Sequence, residues 1–167
     1  MGIKQSFLTE FEKEIASTKR IIACIPNDKW DWKPHEKSMS LGELAKHITE
    51  LTAWTVNITG KDKLNFHTDY TPLTATTAAE LLDLLDQYQT QCKHALENFD
   101  DNKWMENWDL TAGDHVIASL PKVAANRFIV NNHIYHHRGQ LSVYLRLLDV
   151  PIPGMYGPSA DENNKSL

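Results

Sequence analysis

A chain of 167 residues, 41% hydrophobic and 23% charged, has the length and makeup of one ordinary globular domain spanning 1–167. Its formal net charge of -5, with no basic cluster beyond Lys19-Arg20, gives no electrostatic footprint for nucleic acid or an anionic membrane. No apolar run approaches a membrane span, and Lys4, Glu10, Glu12, Lys13 and Glu14 interrupt the start of the chain where a secretory signal needs an apolar core. The two isolated cysteines, Cys24 and Cys92, suit a reducing cytoplasm and read as small buried residues rather than a disulfide or a nucleophile. Gly2 with Ser6 meets only the outline of a myristoylation pattern, which is too short to be specific.

Four helices are expected in chain order. The first runs from Ile3 to Cys24, with Phe7, Leu8, Phe11, Ile15, Thr18 and Ile22 at helical spacing and Pro26 beyond its end. The second starts at a capping box, Ser40 with Glu43, and carries Leu44, Ile48, Leu51, Thr55 and Ile58 on one stripe as far as Gly60. A second capping box, Thr77 with Glu80, opens the third, whose stripe is Leu81, Leu84, Leu85, Tyr88, Cys92, Ala95, Leu96 and Phe99. The fourth opens at Pro121, carries Val123, Val130, Ile134, Leu141, Leu145 and Leu148, and ends before Pro151. From about 149 the tail is rich in Pro and Gly, so it reads as extended, with only its last residues disordered.

The connections 61–76 and 100–120 are longer than a simple up-and-down bundle needs, and they permit a parallel helix pair. Residues 104–108 and 115–118, either side of Ala112-Gly113-Asp114, carry a weak hairpin signal.

The fourth helix also carries His133, His136 and His137. At ~100° per residue with His133 as origin, the apolar stripe centres near ~85°, His137 falls at ~40° and His136 at ~300°. His137 therefore faces inward, His133 borders the buried face, and His136 points away. Residues four apart lie one above the other, so His133 and His137 can aim at one point. On the second helix His47 lies between Leu44 and Leu51 and borders its stripe in the same way, whereas His94 falls off the third stripe. An unpaired imidazole against an apolar core has to find a partner, and a shared metal would satisfy all three rings. Ile134 stands where the zincin motif needs Glu, which excludes that protease class.

Trp32-Lys33-Pro34-His35 followed by Ser40 to Ile48, His133 to Leu141, and the ending Pro153 to Asp161 together resemble the DinB-like family of damage-inducible proteins, the DinB/YfiT-like metalloenzyme group. The resemblance implies an all-α fold, a four-helix bundle of up-down-down-up order with the metal site at one end, and frequent homodimers. It implies a divalent metal, zinc or nickel, on His47, His133 and His137. Some relatives transfer a low-molecular-weight thiol to an electrophile, and others are thiol-dependent isomerases.

Two functional readings follow. In the first, three neutral imidazoles leave a divalent ion an open position, so the chain is a metal-dependent enzyme acting on a small-molecule substrate by thiol transfer or hydrolysis. Gln140 and Tyr156 are its weak candidates for touching a bound ligand. Arg138 is expected in an ion pair, and Gly139 is expected where another backbone packs close. In the second, the site is non-catalytic, a metal-binding or stress-response device. A closed structural site needs a fourth protein ligand, and Glu50, one turn from His47, is the best candidate.

Overall fold

The computed structural model describes residues 2–162, so the expected disorder of the last residues lies outside the described residues. Helix α1 (Ile3–Ile22) places Phe7, Ile15, Thr18, Ile21 and Ile22 in the interior. Lys19 and Arg20 stand in its last turn, where cations offset the negative end of the helix dipole.

Helix α2 (Leu41–Gly60) begins at the expected capping box. The Glu43 N–H donates to Ser40 Oγ at 3.2 Å, and the Ser40 N–H donates back to Glu43 Oε2 at 2.7 Å. The other two exposed donors of its first turn are also taken, because Leu41 N–H reaches the Trp32 carbonyl and Gly42 N–H the Trp30 carbonyl, both at 2.8 Å. A Cβ at Gly42 would stand 2.3 Å from the Trp30 indole, so the close approach of that ring requires glycine.

Helix α3 (Ala78–Asn98) has the second capping box, Thr77 with Glu80, and buries Leu81, Leu85, Cys92 and Leu96. The last helical segment is continuous but not uniform: α4 (Lys122–Ala125), a π-helical turn (Asn126–Asn131) and α5 (Asn132–Leu147) follow without a break. The buried Lys122 ammonium donates to the Ile58 and Lys61 carbonyls and pairs with Asp62, which fastens the end of α2 to the start of α4.

The expected all-α class needs correction. Strands β1 (Lys63–Asn65), β2 (Asn107–Ala112) and β3 (His115–Pro121) form one sheet in the order β1-β2-β3. The β2-β3 hairpin is the weakly signalled one, turning at Gly113 with φ 61°, a left-handed conformation that favours glycine. Trp104 and Met105 belong instead to a 3-10 turn, Asp101–Met105. β1 pairs parallel to β2 and comes from the other long connection. Backbone in two long segments that bury Leu64, Trp108 and Leu110 has to find hydrogen-bond partners, and the two segments supply them to each other. The chain is thus mostly helical, four long helices with a small three-stranded sheet.

Helix α2 packs against both α3 and α5, and α1 packs against α3. The main core joins Ile15, Ile22, Leu44, Ile48, Leu51, Leu81, Leu85, Leu141 and Leu145. A second cluster of Phe7, Leu96, Phe99 and Trp104 closes another part of the molecule, with Trp104 ring centroids 4.9 Å from Phe7 and 4.5 Å from Phe99. Because α2 and α5 are neighbours, the histidine borders of their stripes face each other.

Candidate metal centre

His47 of α2 and His133 and His137 of α5 converge. One ring nitrogen from each lies within 4.8 Å of the other two. The Nε2 atoms of His47 and His133 are 3.4 Å apart, and ring centroids are separated by 5.0 Å (His47–His133), 4.7 Å (His47–His137) and 4.6 Å (His133–His137). His137 is buried and His47 and His133 are half-buried, while His136 and His94 are exposed. The helical wheel therefore sorted the histidines correctly.

His137 is held from behind by an acceptor, and His47 has a carboxylate nearby. His137 Nδ1 faces Gln140 Oε1 at 2.7 Å, a pairing that puts the proton on Nδ1 and leaves a lone pair on Nε2. That Nε2 is buried and has no hydrogen-bond partner. His47 Nδ1 faces Glu50 Oε2 at 3.9 Å, an ion-pair rather than a hydrogen-bond distance. Burial, followed by the neighbouring rings of His137 and His47, pulls the His133 pKa down to about 4. His137 is lowered chiefly by burial, against the opposing hydrogen bond of Gln140. Both rings are thus kept neutral near pH 7, the state a metal requires.

Three imidazole nitrogens, one of them buried and orphaned, fit a divalent cation. A buried acceptor without a donor costs free energy that an ion at this point would recover.

Glu50 is engaged elsewhere. Its Oε1 accepts from the Leu73 N–H at 2.7 Å and its Oε2 from Tyr70 Oη at 2.8 Å. Burial tends to raise this carboxyl, but the neighbouring His47 and the hydrogen bonds from Leu73 and Tyr70 outweigh it and hold the pKa below the usual value. The Tyr70 phenol is pushed up to about 12 by burial and by Glu50, so it stays a donor. The carboxylate lies at Nδ1 of His47, while Nε2 faces His133. By sequence Glu50 is the best candidate for the fourth ligand of a closed site; here its oxygens are taken by Tyr70 and Leu73 of the 61–76 connection, and it stands beside His47.

The other expected residues fall as follows. Gln140 reaches the cluster through His137. Tyr156 does not join the cluster: its hydroxyl lies 2.5 Å from an Arg138 guanidinium nitrogen and 3.0 Å from Glu14 Oε2. Arg138, 1% exposed, forms the expected ion pair, with Glu14, and also donates to the Glu14 carbonyl and Thr18. Gly139 has no close neighbour, contrary to the expectation of a packed backbone there. Cys92 is buried with its thiol pushed up to about 12 by burial, Cys24 is half-buried, and neither belongs to the histidine group.

The sequence model of the DinB family matches residues 1–165. The chain belongs to the DinB family. This DinB-family chain is 23% identical over 156 residues to an uncharacterized protein, YrdA, of Bacillus subtilis strain 168, covering 93% of this chain and 89% of that one. Among solved structures it resembles a DinB-like protein of Bacillus cereus ATCC 10987, with TM-score 0.72, 23% identity, and 91% and 97% of the two chains covered. A DinB-like protein of Bacillus subtilis, YjoA, gives TM-score 0.72 at 22% identity over 90% and 97% of the two chains. At these identities the structural likeness speaks for the fold.

Proposed function

We propose that His47, His133 and His137 hold a divalent metal, zinc or nickel, and that the chain is an enzyme transferring a low-molecular-weight thiol to a small electrophile. The observation that carries this reading is the convergence of three imidazoles on one point, with His137 held by Gln140 and its buried Nε2 unpartnered. When bound, such an ion lowers the pKa of a thiol or water and polarises an electrophile.

The protein's own groups set that point up. Gln140 fixes the His137 tautomer, Glu50 orients His47, and Tyr70 with the Leu73 N–H immobilises Glu50. Beside His47 a cleft of about 550 Å³ opens between α2 and residues 70–73, roomy enough for a small-molecule substrate. In the transfer, the thiol gives up its proton, its sulfur forms a bond to the electrophilic carbon, and the carbon–leaving-group bond breaks with its electron pair going to the leaving group, which leaves as the anion or takes up that proton. Neither cysteine supplies a competing protein nucleophile, since burial raises both thiols and lowers their thiolate fraction.

The rival reading, a closed structural or sensing site in a stress-response protein, needs a fourth protein ligand, and the carboxylate that could serve is committed to Tyr70 and Leu73. The same proposal takes the chain as one cytoplasmic domain with its helices in up-down-down-up order, supported by the two long connections. It also takes the chain as a homodimer, supported by the exposed Val143 and Leu147 on one face of α5. The test is to load the chain with zinc or nickel and follow conjugation of small thiols to a generic electrophile. Turnover that disappears in His47→Ala supports the proposal, and equal rates in the two proteins refute it.

A further inference from the structure

The cleft that opens on His47 has an unusual wall for so acidic a chain. Lys33 and Lys37, from the segment ahead of α2, and Lys46, from α2 itself, all line it. None of the three is in an ion pair among the described residues. The two carboxylates on the same wall are both occupied: Glu43 accepts from the Ser40 N–H in the capping box, and Glu50 is held by Tyr70 and Leu73. The ammonium field is felt inside the cleft, since Lys33 and Lys46 contribute to lowering Glu43, after its larger backbone bond to Ser40. Three unpaired ammoniums facing two engaged carboxylates leave a local positive surplus in a molecule whose net charge is -5. The first-turn N–H groups of α2 are spent on Trp30, Trp32 and Ser40, so the helix terminus itself offers an anion nothing, and the cationic donors on this wall are the lysines.

A second, smaller cavity of about 270 Å³ lies on the other side of Lys37, Ser38 and Met39, which line both. It is bounded by His137 and Gln140 and by the apolar faces of Leu44 and Tyr144, with Trp32 edge-on to Tyr144 at 5.8 Å. The histidine cluster therefore stands between two cavities that share Lys37, Ser38 and Met39, His47 lining the larger and His137 the smaller.

We propose that the basic lobe binds an anionic group, a carboxylate or phosphate, of the substrate or thiol, so that the ligand is a small acid held by the lysines beside the histidine cluster. This deepens the enzymatic reading above and rests on it for the role of the histidines. Ammonium groups gathered around a solvent-open cleft raise the local concentration of anions, the more so at low ionic strength, and favour the charged end of a ligand there.

The test titrates succinate, inorganic phosphate and the neutral analogue succinamide into the purified metal-loaded chain by calorimetry, and repeats it with the Lys33→Gln, Lys37→Gln, Lys46→Gln triple variant. Succinate or phosphate binds the wild type in preference to succinamide, and whichever of the two acids binds tighter identifies the anion. The triple variant, whose changes sit on exposed or half-buried side chains, binds that acid about tenfold more weakly, as expected for loss of three screened charge contacts. Equal affinity in the two proteins overturns the proposal, because binding through the ion alone is indifferent to the lysines. So does wild-type binding of succinamide as tight as of the acids. The metal reading fails on a different measurement, the metal content of the wild-type chain, so the two failures are separable.

Discussion

Replacing Gln140 by Leu isolates what the support behind one histidine contributes. Gln140 is exposed, so its truncation costs the fold less than about 1 kcal/mol. Its Oε1, however, is the acceptor for His137 Nδ1 at 2.7 Å, and the His137 side chain is 8% exposed, which leaves water poor access to replace it. An Nδ1–H without its acceptor costs about 1–3 kcal/mol, which the metal-free ring avoids by shifting its proton to Nε2 and the metal-bound ring, needing a lone pair there, must meet. Expressed as affinity, this is a loss of about 10- to 100-fold, the range found for such supporting groups. Competition against a chelator of known affinity reads it directly, with thermal unfolding of the metal-free chain as the control. Gln140→Glu keeps an acceptor and restores binding to within a few-fold. Wild-type metal affinity in Gln140→Leu would refute the claim that Gln140 sets the His137 tautomer.

Three further outcomes follow from the geometry. Arg138→Met leaves the Glu14 carboxylate without its buried cation and removes bonds to the Glu14 carbonyl, Thr18 and Tyr156, so urea denaturation should show a loss of about 3–5 kcal/mol; a change below 1 kcal/mol contradicts the buried ion pair. Gly42→Ala drives a methyl into the Trp30 indole and costs about 1–3 kcal/mol, read as a lower unfolding midpoint, whereas an unchanged midpoint would mean the ring does not lie there. In the metal-free chain His133 takes its proton only near pH 4, while the unfolded chain takes it near 6.5, so the unfolded state binds more protons between those values. Stability is therefore full above about pH 6.5 and falls progressively toward pH 4; His133→Gln flattens that slope, and an identical slope in the variant counts against the depressed imidazole.

Much of this was legible in the chain. Ser40 with Glu43 and Thr77 with Glu80 mark helix starts because a capping box is a local arrangement of side chain and backbone, independent of tertiary context. His136 could be set aside from His133 and His137 on helical phase, since α5 is regular over those residues. The sheet was harder. β1 is three residues long and pairs with a strand more than forty residues away, so neither length nor alternation announces it. The π-helical turn at Asn126–Asn131 was invisible to a wheel drawn at constant pitch. Glu50 and Tyr156 show the limit of spacing arguments: Tyr70 and Leu73 claim the first and Glu14 and Arg138 the second, through contacts between segments far apart in sequence. The lysines of the cleft gave no signal as a cluster because Lys46 joins Lys33 and Lys37 only when the segment ahead of α2 folds beside it.

The central claim, that three histidines from two helices make one metal centre, is tested most directly by elemental analysis of the purified chain after growth with zinc and nickel, beside the His47→Ala, His133→Ala, His137→Ala triple variant. The wild type should carry about one equivalent of divalent metal per chain and the triple variant close to none, with both proteins folded by circular dichroism. Equal metal content in the two, or a wild-type chain that binds no divalent ion, would contradict it.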